Sequence, residues 1–265
     1  MFRALWGSRV LIRLLARKTF LVQYRRASLG VLWAIGLPVV QAVVMAFVIG
    51  RIVRFNVGVP FQVFVLWGVV PWTFFHNAVT NATTSIVEGS TIATKIYFPR
   101  AVLPIVTVLA GVRGLVPAVG VLMVAAAILG APMGIELLWI FPAMALMFVL
   151  ACGFAMIFAA LYVYFRDMRF IVAAGTIPWA WATGIFYPLS VLGPFRRVAE
   201  LNPAVGMVQL FRASVGAAGT RAAVELSAWD AWGHTVVITV VWAVALIAIS
   251  LPLYRRYDRV FVDLL

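Results

Sequence analysis

What most constrains this chain is a succession of apolar runs, each about 20 residues or longer, able to cross a bilayer core of about 30 Å at 1.5 Å per residue. With 65% hydrophobic and 11% charged residues, against roughly 25% charged in a soluble domain, it has too little polar surface to wet a globule. The runs predict an all-α integral membrane protein of six transmembrane helices, a single domain over 1–265 with no soluble part able to act alone. Spans are expected near 30–53, 61–85, 101–129, 137–164, 171–188 and 232–251. The third holds Pro104 and Pro117, and residues 130–134 read as a tight turn before the fourth. The first run is too long for the apolar core of a secretory signal and lacks a cleavage site, so it is expected to stay in the mature protein.

Charge follows this topology. Arg3, Arg9, Arg13, Arg17, Lys18, Arg25 and Arg26 precede the first span with no acidic residue among them, which predicts a cytoplasmic N-terminus. Residues 1–28 read as a cytoplasmic interfacial helix. Arg9, Arg13 and Arg17 form one stripe, Leu11, Leu14 and Leu15 fall on the other side, and anionic membrane lipids are expected at the basic face. Arg166-Asp167-Met168-Arg169, the Lys95–Arg100 stretch and Arg255, Arg256 and Arg259 fall on the same side, so both termini are expected to be cytoplasmic. Arg51 and Arg54 oppose the trend and are outweighed. A net charge of +13 therefore reports membrane orientation, and no nucleic-acid partner is expected.

Residues 189–230 are too polar to span and too apolar for a free loop. Phe195, Val198, Leu201, Val205, Val208, Leu210 and Phe211 alternate with Arg196, Arg197, Glu200, Asn202-Pro203 and Arg212. They predict an outer-face helical hairpin, two short amphipathic helices broken at Asn202-Pro203. The segment is read either as a gate dipping into the membrane or as an anchor on its surface.

Several chemistries lack their residues. No G-x-x-x-x-G-K-[ST] phosphate loop is present, and the two lysines, Lys18 and Lys95, follow no such loop. His76 and His234 are far apart with no ligand cluster, so no metal site is expected. The eight acidic residues form no catalytic pair, so no catalytic residue is assigned. Cys152, the only cysteine, lies in an apolar run and can form no intrachain disulfide. No repeat of the first three spans is visible in the last three, unlike an inverted-repeat transporter.

Gln23-Tyr24-Arg25-Arg26, then Leu29-Gly30-Val31-Leu32-Trp33 and Leu37-Pro38, resemble the opening of the bacterial type-2 ABC transporter permeases that export polysaccharides such as O-antigen, teichoic acid and capsule. The likeness continues through 66–75, Lys95-Ile96-Tyr97-Phe98-Pro99-Arg100, 165–169, Phe186-Tyr187-Pro188 and Leu201-Asn202-Pro203, to Phe211-Arg212. It implies a homodimer in the bacterial cytoplasmic (inner) membrane, working with a separate pair of cytoplasmic ABC ATPase subunits. Those partners would use ATP and Mg, and this chain would bind no cofactor. The implied cargo is a lipid-linked polysaccharide. Other readings are an ABC permease for drugs or small lipids, and an integral membrane enzyme of glycolipid synthesis.

By that resemblance, residues 88–100 form the cytoplasmic coupling loop. Glu88, Lys95, Tyr97, Phe98 and Arg100 would dock on the ATPase together with Arg166, Asp167 and Arg169; the plain alternative is an interfacial loop end anchored by Tyr and Arg. A sugar polymer needs a wet path with flat apolar faces. Trp33, Trp72, Phe74, Phe75, Trp179, Trp181, Phe186 and Tyr187 could line it, or could belong to the interfacial belt and the core. Trp179 and Trp181 lie about 200° apart around a helix and cannot face the same way. Asn202, Pro203, Phe211 and Arg212 are assigned to the gate. Arg113, well inside the third span, is expected either to meet a diphosphate or carboxylate of the cargo or to bond backbone carbonyls exposed near Pro104 or Pro117.

Overall fold

The structure is a computed structural model that describes residues 7–24, 30, 32–52, 57–90, 98–131, 133–216 and 228–257. Among the described residues the secondary structure is entirely helical. Helix α1 (Arg9–Tyr24) is followed by α2 (Leu32–Ile52), α3 (Phe61–Thr83), a single turn α4 (Ser85–Glu88) and α5 (Val102–Ile128). After a 3-10 turn at Ile135–Trp139 come α6 (Ile140–Tyr164) and α7 (Met168–Ala182). A 3-10 segment (Leu189–Phe195), α8 (Arg196–Glu200), α9 (Pro203–Ala213) and α10 (Ala228–Tyr257) complete the order.

Among the described residues, four helical segments are long and apolar enough to cross a membrane: Phe61–Thr83, Val102–Ile128, Ile135–Tyr164 and Trp232–Tyr254. Helix α3 is the axis of the bundle. It packs against α2, α5, α6, α7 and α9, and 78% of its apolar stretch is buried, against 28% for the last span. The outward residues of the other helices stay apolar: Val40, Val43 and Phe47 on α2, Val116 and Val124 on α5, and Val237 and Val241 on α10 are all exposed. A chain in water would keep few such faces, whereas lipid or a second subunit accepts them.

Helix α1 packs along α5. Its Ala16 is fully buried against Phe98, Val102, Leu103 and Val106, with Leu11, Ile12 and Leu15 alongside. A Cβ on Gly114 would stand 3.5 Å from the Phe20 ring, so α1 reaches twelve residues beyond Val102, about 18 Å along α5. Leu11 and Leu15 of the amphipathic pattern thus find a protein partner, while Leu14 remains exposed.

The fifth span differs from its expected bounds. Helix α7 stops at Ala182, and Thr183-Gly184 turns the chain before Pro188. At 15 residues it is about 22 Å long, short of a full crossing. The chain then folds back through α8 and α9, and α9 is enclosed by α3, α6 and α10.

Candidate functional site

The returning segment is fixed by two side chains. Asn202 caps α9: its Oδ1 accepts from the Ala204 backbone N–H at 3.0 Å, satisfying one of the donors a helix N-terminus leaves open. Pro203, lacking an N–H and preset in φ, suits the first helical position. The same Oδ1 accepts from Trp179 Nε1 at 2.7 Å. Nδ2 donates to the Ala182 carbonyl at 3.3 Å and to Thr183 Oγ1 at 3.1 Å. One carboxamide therefore joins the start of α9 to the end of α7.

Arg212, at the other end of α9, is 1% exposed. Nε donates to the Phe64 carbonyl at 3.3 Å, Nη1 to Gly184 at 3.1 Å and Nη2 to Ile185 at 2.6 Å. The guanidinium carbon lies 3.5 Å from the Phe64 ring centroid, the geometry of a cation over an aromatic face. Among the described residues no carboxylate pairs with it. Its charge is met by carbonyl dipoles and a ring, and the planar fork of donors suits three carbonyls where an ammonium would not. The residues on either side make this possible. Gly68 lets α3 come close, since a Cβ there would sit 2.8 Å from Arg212 Nη2 and from the Ile185 carbonyl. Next to it, Trp67 Nε1 donates to Ser214 Oγ at 2.9 Å in the core.

At the opposite rim, Glu200 accepts from Arg196 Nε at 2.6 Å and lies 3.2 Å from His234 Nε2. Trp242 Nε1 donates to the Leu201 carbonyl at 3.2 Å. The α8–α9 break therefore lies against α10 between His234 and Trp242. Phe211 is buried. The four residues assigned to a gate are thus brought together on one packed element.

The aromatic residues divide. Trp72, Phe75, Trp179 and Phe154 form one cluster, with centroid separations between 5.1 and 6.2 Å; Phe74 is buried too. Trp33 and Trp181 are exposed. Phe186 is buried beneath Trp181, centroids 4.7 Å apart, and the half-buried Tyr187 donates its hydroxyl to the Trp181 carbonyl. Trp179 faces in and Trp181 out, as their helical spacing requires. Phe154 joins the cluster without having been singled out in the sequence, because nothing local distinguishes it from the other aromatics of its run.

Among residues assigned to docking, Glu88, Arg166, Asp167 and Arg169 are exposed. Arg166 and Arg169 lie over the rings of Tyr162 and Phe170 at 5.3 and 4.4 Å. Phe98 and Arg100 are buried, Phe98 against α1; Lys95 and Tyr97 lie outside the described residues. Arg113 is half-buried and its Nη2 donates to the Arg13 carbonyl of α1 at 3.2 Å. Its backbone partner is on the N-terminal helix, and is not a carbonyl freed at Pro104 or Pro117.

Residues 10–215 match the family described as ABC-2 type transporter. The chain is 30% identical to the O-antigen export system permease protein RfbA of Myxococcus xanthus over 221 residues, covering 80% of this chain and 82% of that protein. It is 26% identical to a protein of the same name from Klebsiella pneumoniae over 205 residues, 76% and 78% of the two chains.

Proposed function

Since the chain belongs to the ABC-2 type transporter family, we propose that it is the transmembrane subunit of an ATP-driven exporter carrying a lipid-linked polysaccharide across the bacterial cytoplasmic membrane. It is a transport subunit rather than an enzyme, and its motor is a separate ABC ATPase. The observation that carries the cargo class is the agreement of relatives from two organisms, each named for O-antigen export and each aligned over more than three-quarters of both chains.

The proposed membrane arrangement has six crossings with both termini cytoplasmic. Helix α2, 21 residues and about 31 Å long, joins the four long segments. The short α7 makes the sixth, its missing length supplied by the chain from Thr183 to Phe195. This arrangement leaves most basic clusters on one side. A homodimer would cover the apolar faces of one subunit with those of the other.

Within this reading, α8–α9 close the outer side. Asn202 and Arg212 make α7, α9 and the start of α3 move as one body, so opening would occur around this body rather than within it. The sugar path is assigned to the exposed Trp33 and Trp181 and to Tyr187, the aromatics whose faces are not consumed by the cluster around Trp179. Docking is assigned to the exposed Arg166–Arg169 turn, while Glu88, which lines the groove beside α1, is left out of it. Phe98 and Arg100 would act from beneath, seating α1. Depleting the protein in its native host and locating the polymer tests the function: intracellular accumulation is expected, and normal surface polymer would overturn it.

A further inference from the structure

A groove of about 440 Å³ lies between α1, α3 and α5. Its wall on α3 and α4 carries Asn77, Asn81, Thr84 and Glu88, spaced by four, three and four residues and so on one helical face. Asn77 and Asn81, on the span with the largest buried share, are exposed, as is Glu88 at the end of α4. Polar and charged groups at a membrane-embedded face are expensive unless they meet a polar partner. Lys18 of α1 lines the same groove, yet no ion pair within 4 Å joins it to Glu88. The far end is apolar, walled by Phe20, Phe74, Ala78 and Gly114.

Among the described residues the groove therefore offers one cation site, one anion site, carboxamides on its α3 wall, and an apolar end. We propose that it binds an aminophospholipid, with the phosphate at Lys18, the primary ammonium at Glu88 and the acyl chains toward Phe20 and Phe74. A phosphatidylglycerol headgroup, or a polyprenyl diphosphate, would set surplus negative charge against Glu88. A phosphatidylcholine headgroup has the right charges but no N–H to donate to Glu88 and the asparagine carbonyls. The lipid would hold α1 to the α3–α4 end that leads into the proposed coupling loop. The inference rests on the membrane reading and is independent of the cargo, so its failure leaves the export test untouched.

Native mass spectrometry of the full-length chain, released from detergent with added phosphatidylethanolamine, phosphatidylcholine or phosphatidylglycerol, tests it. Wild type should retain phosphatidylethanolamine over phosphatidylglycerol by about fivefold, the scale of one partly exposed charge contact. Glu88→Gln should erase that preference, and Lys18→Gln should lower retention of all three lipids. Asn81→Leu, altering an exposed position on the same wall, should lower phosphatidylethanolamine retention and gives a second route should Glu88→Gln not fold. Equal retention of the three lipids by wild type would overturn the proposal, as would a Glu88→Gln variant with its preference intact. Displacement of phosphatidylethanolamine by a polyprenyl diphosphate sugar, with that binding lost in Lys18→Gln, would also overturn it and make the groove a cargo site.

Discussion

Arg212 shows how much a single residue can hold. Three of its N–H bonds satisfy the carbonyls of Phe64, at the start of α3, and of the neighbouring Gly184 and Ile185, just past α7. Arg212→Met would keep the bulk and leave those carbonyls without the donor, a loss on the order of 3 kcal/mol or more. Arg212→Lys should be intermediate, since one ammonium cannot both span three carbonyls and lie flat on Phe64. Thermal unfolding in detergent should rank wild type above Lys above Met; equal midpoints would contradict the clamp. At Asn202 the oxygen and nitrogen are used separately. Asn202→Asp keeps both acceptor contacts and loses the bonds to Ala182 and Thr183, whereas Asn202→Ala loses the cap as well, about 1 kcal/mol by itself. The same unfolding assay should place Asp above Ala.

At the scale of elements, the close approach of α9 to α10 depends on Gly206, where a Cβ would collide with the Thr235 carbonyl. Gly206→Ala should push the two helices apart at a cost of about 1–3 kcal/mol. A disulfide engineered across α9 and α10 should then form more slowly than in the wild-type background; an unchanged rate would show that the contact is slack. Helix α1 supplies a second case. Arg113→Gln removes the bond to the Arg13 carbonyl, so proteolysis within 9–24 should accelerate several-fold. Loss of export with α1 unchanged would instead return Arg113 to a cargo role.

These elements also mark what was legible in the sequence. Long apolar runs announce α2, α3, α5, α6 and α10, because length and hydropathy are local properties. The break at Asn202-Pro203 was legible as well, since a cap followed by proline is a local signature. The reach of Arg212 to Phe64 was not, because 148 residues separate them and no periodicity encodes that distance. Nor was the split among the aromatics: Trp72 and Trp181 look alike in composition, and only tertiary packing decides which ring is covered. Helix α1 read as a surface helix because its leucine stripe could face lipid or protein, and tertiary packing divides it: Leu11 and Leu15 lie with Ala16 against α5, while Leu14 stays exposed.

At the scale of the whole molecule, the described residues hold four segments able to span, the short α7 and the α8–α9 return, packed into a body with apolar outer faces. Such a body has no phosphate loop with which to drive transport, and family membership supplies the motor as a partner. The most direct test of the central claim is reconstitution of this chain with its ATPase partner in sealed vesicles, followed by ATP-dependent movement of lipid-linked polysaccharide to the opposite face. Transfer that needs ATP and fails when either subunit is omitted is the predicted result. Polymer that stays on its original face with an active ATPase present would contradict the account.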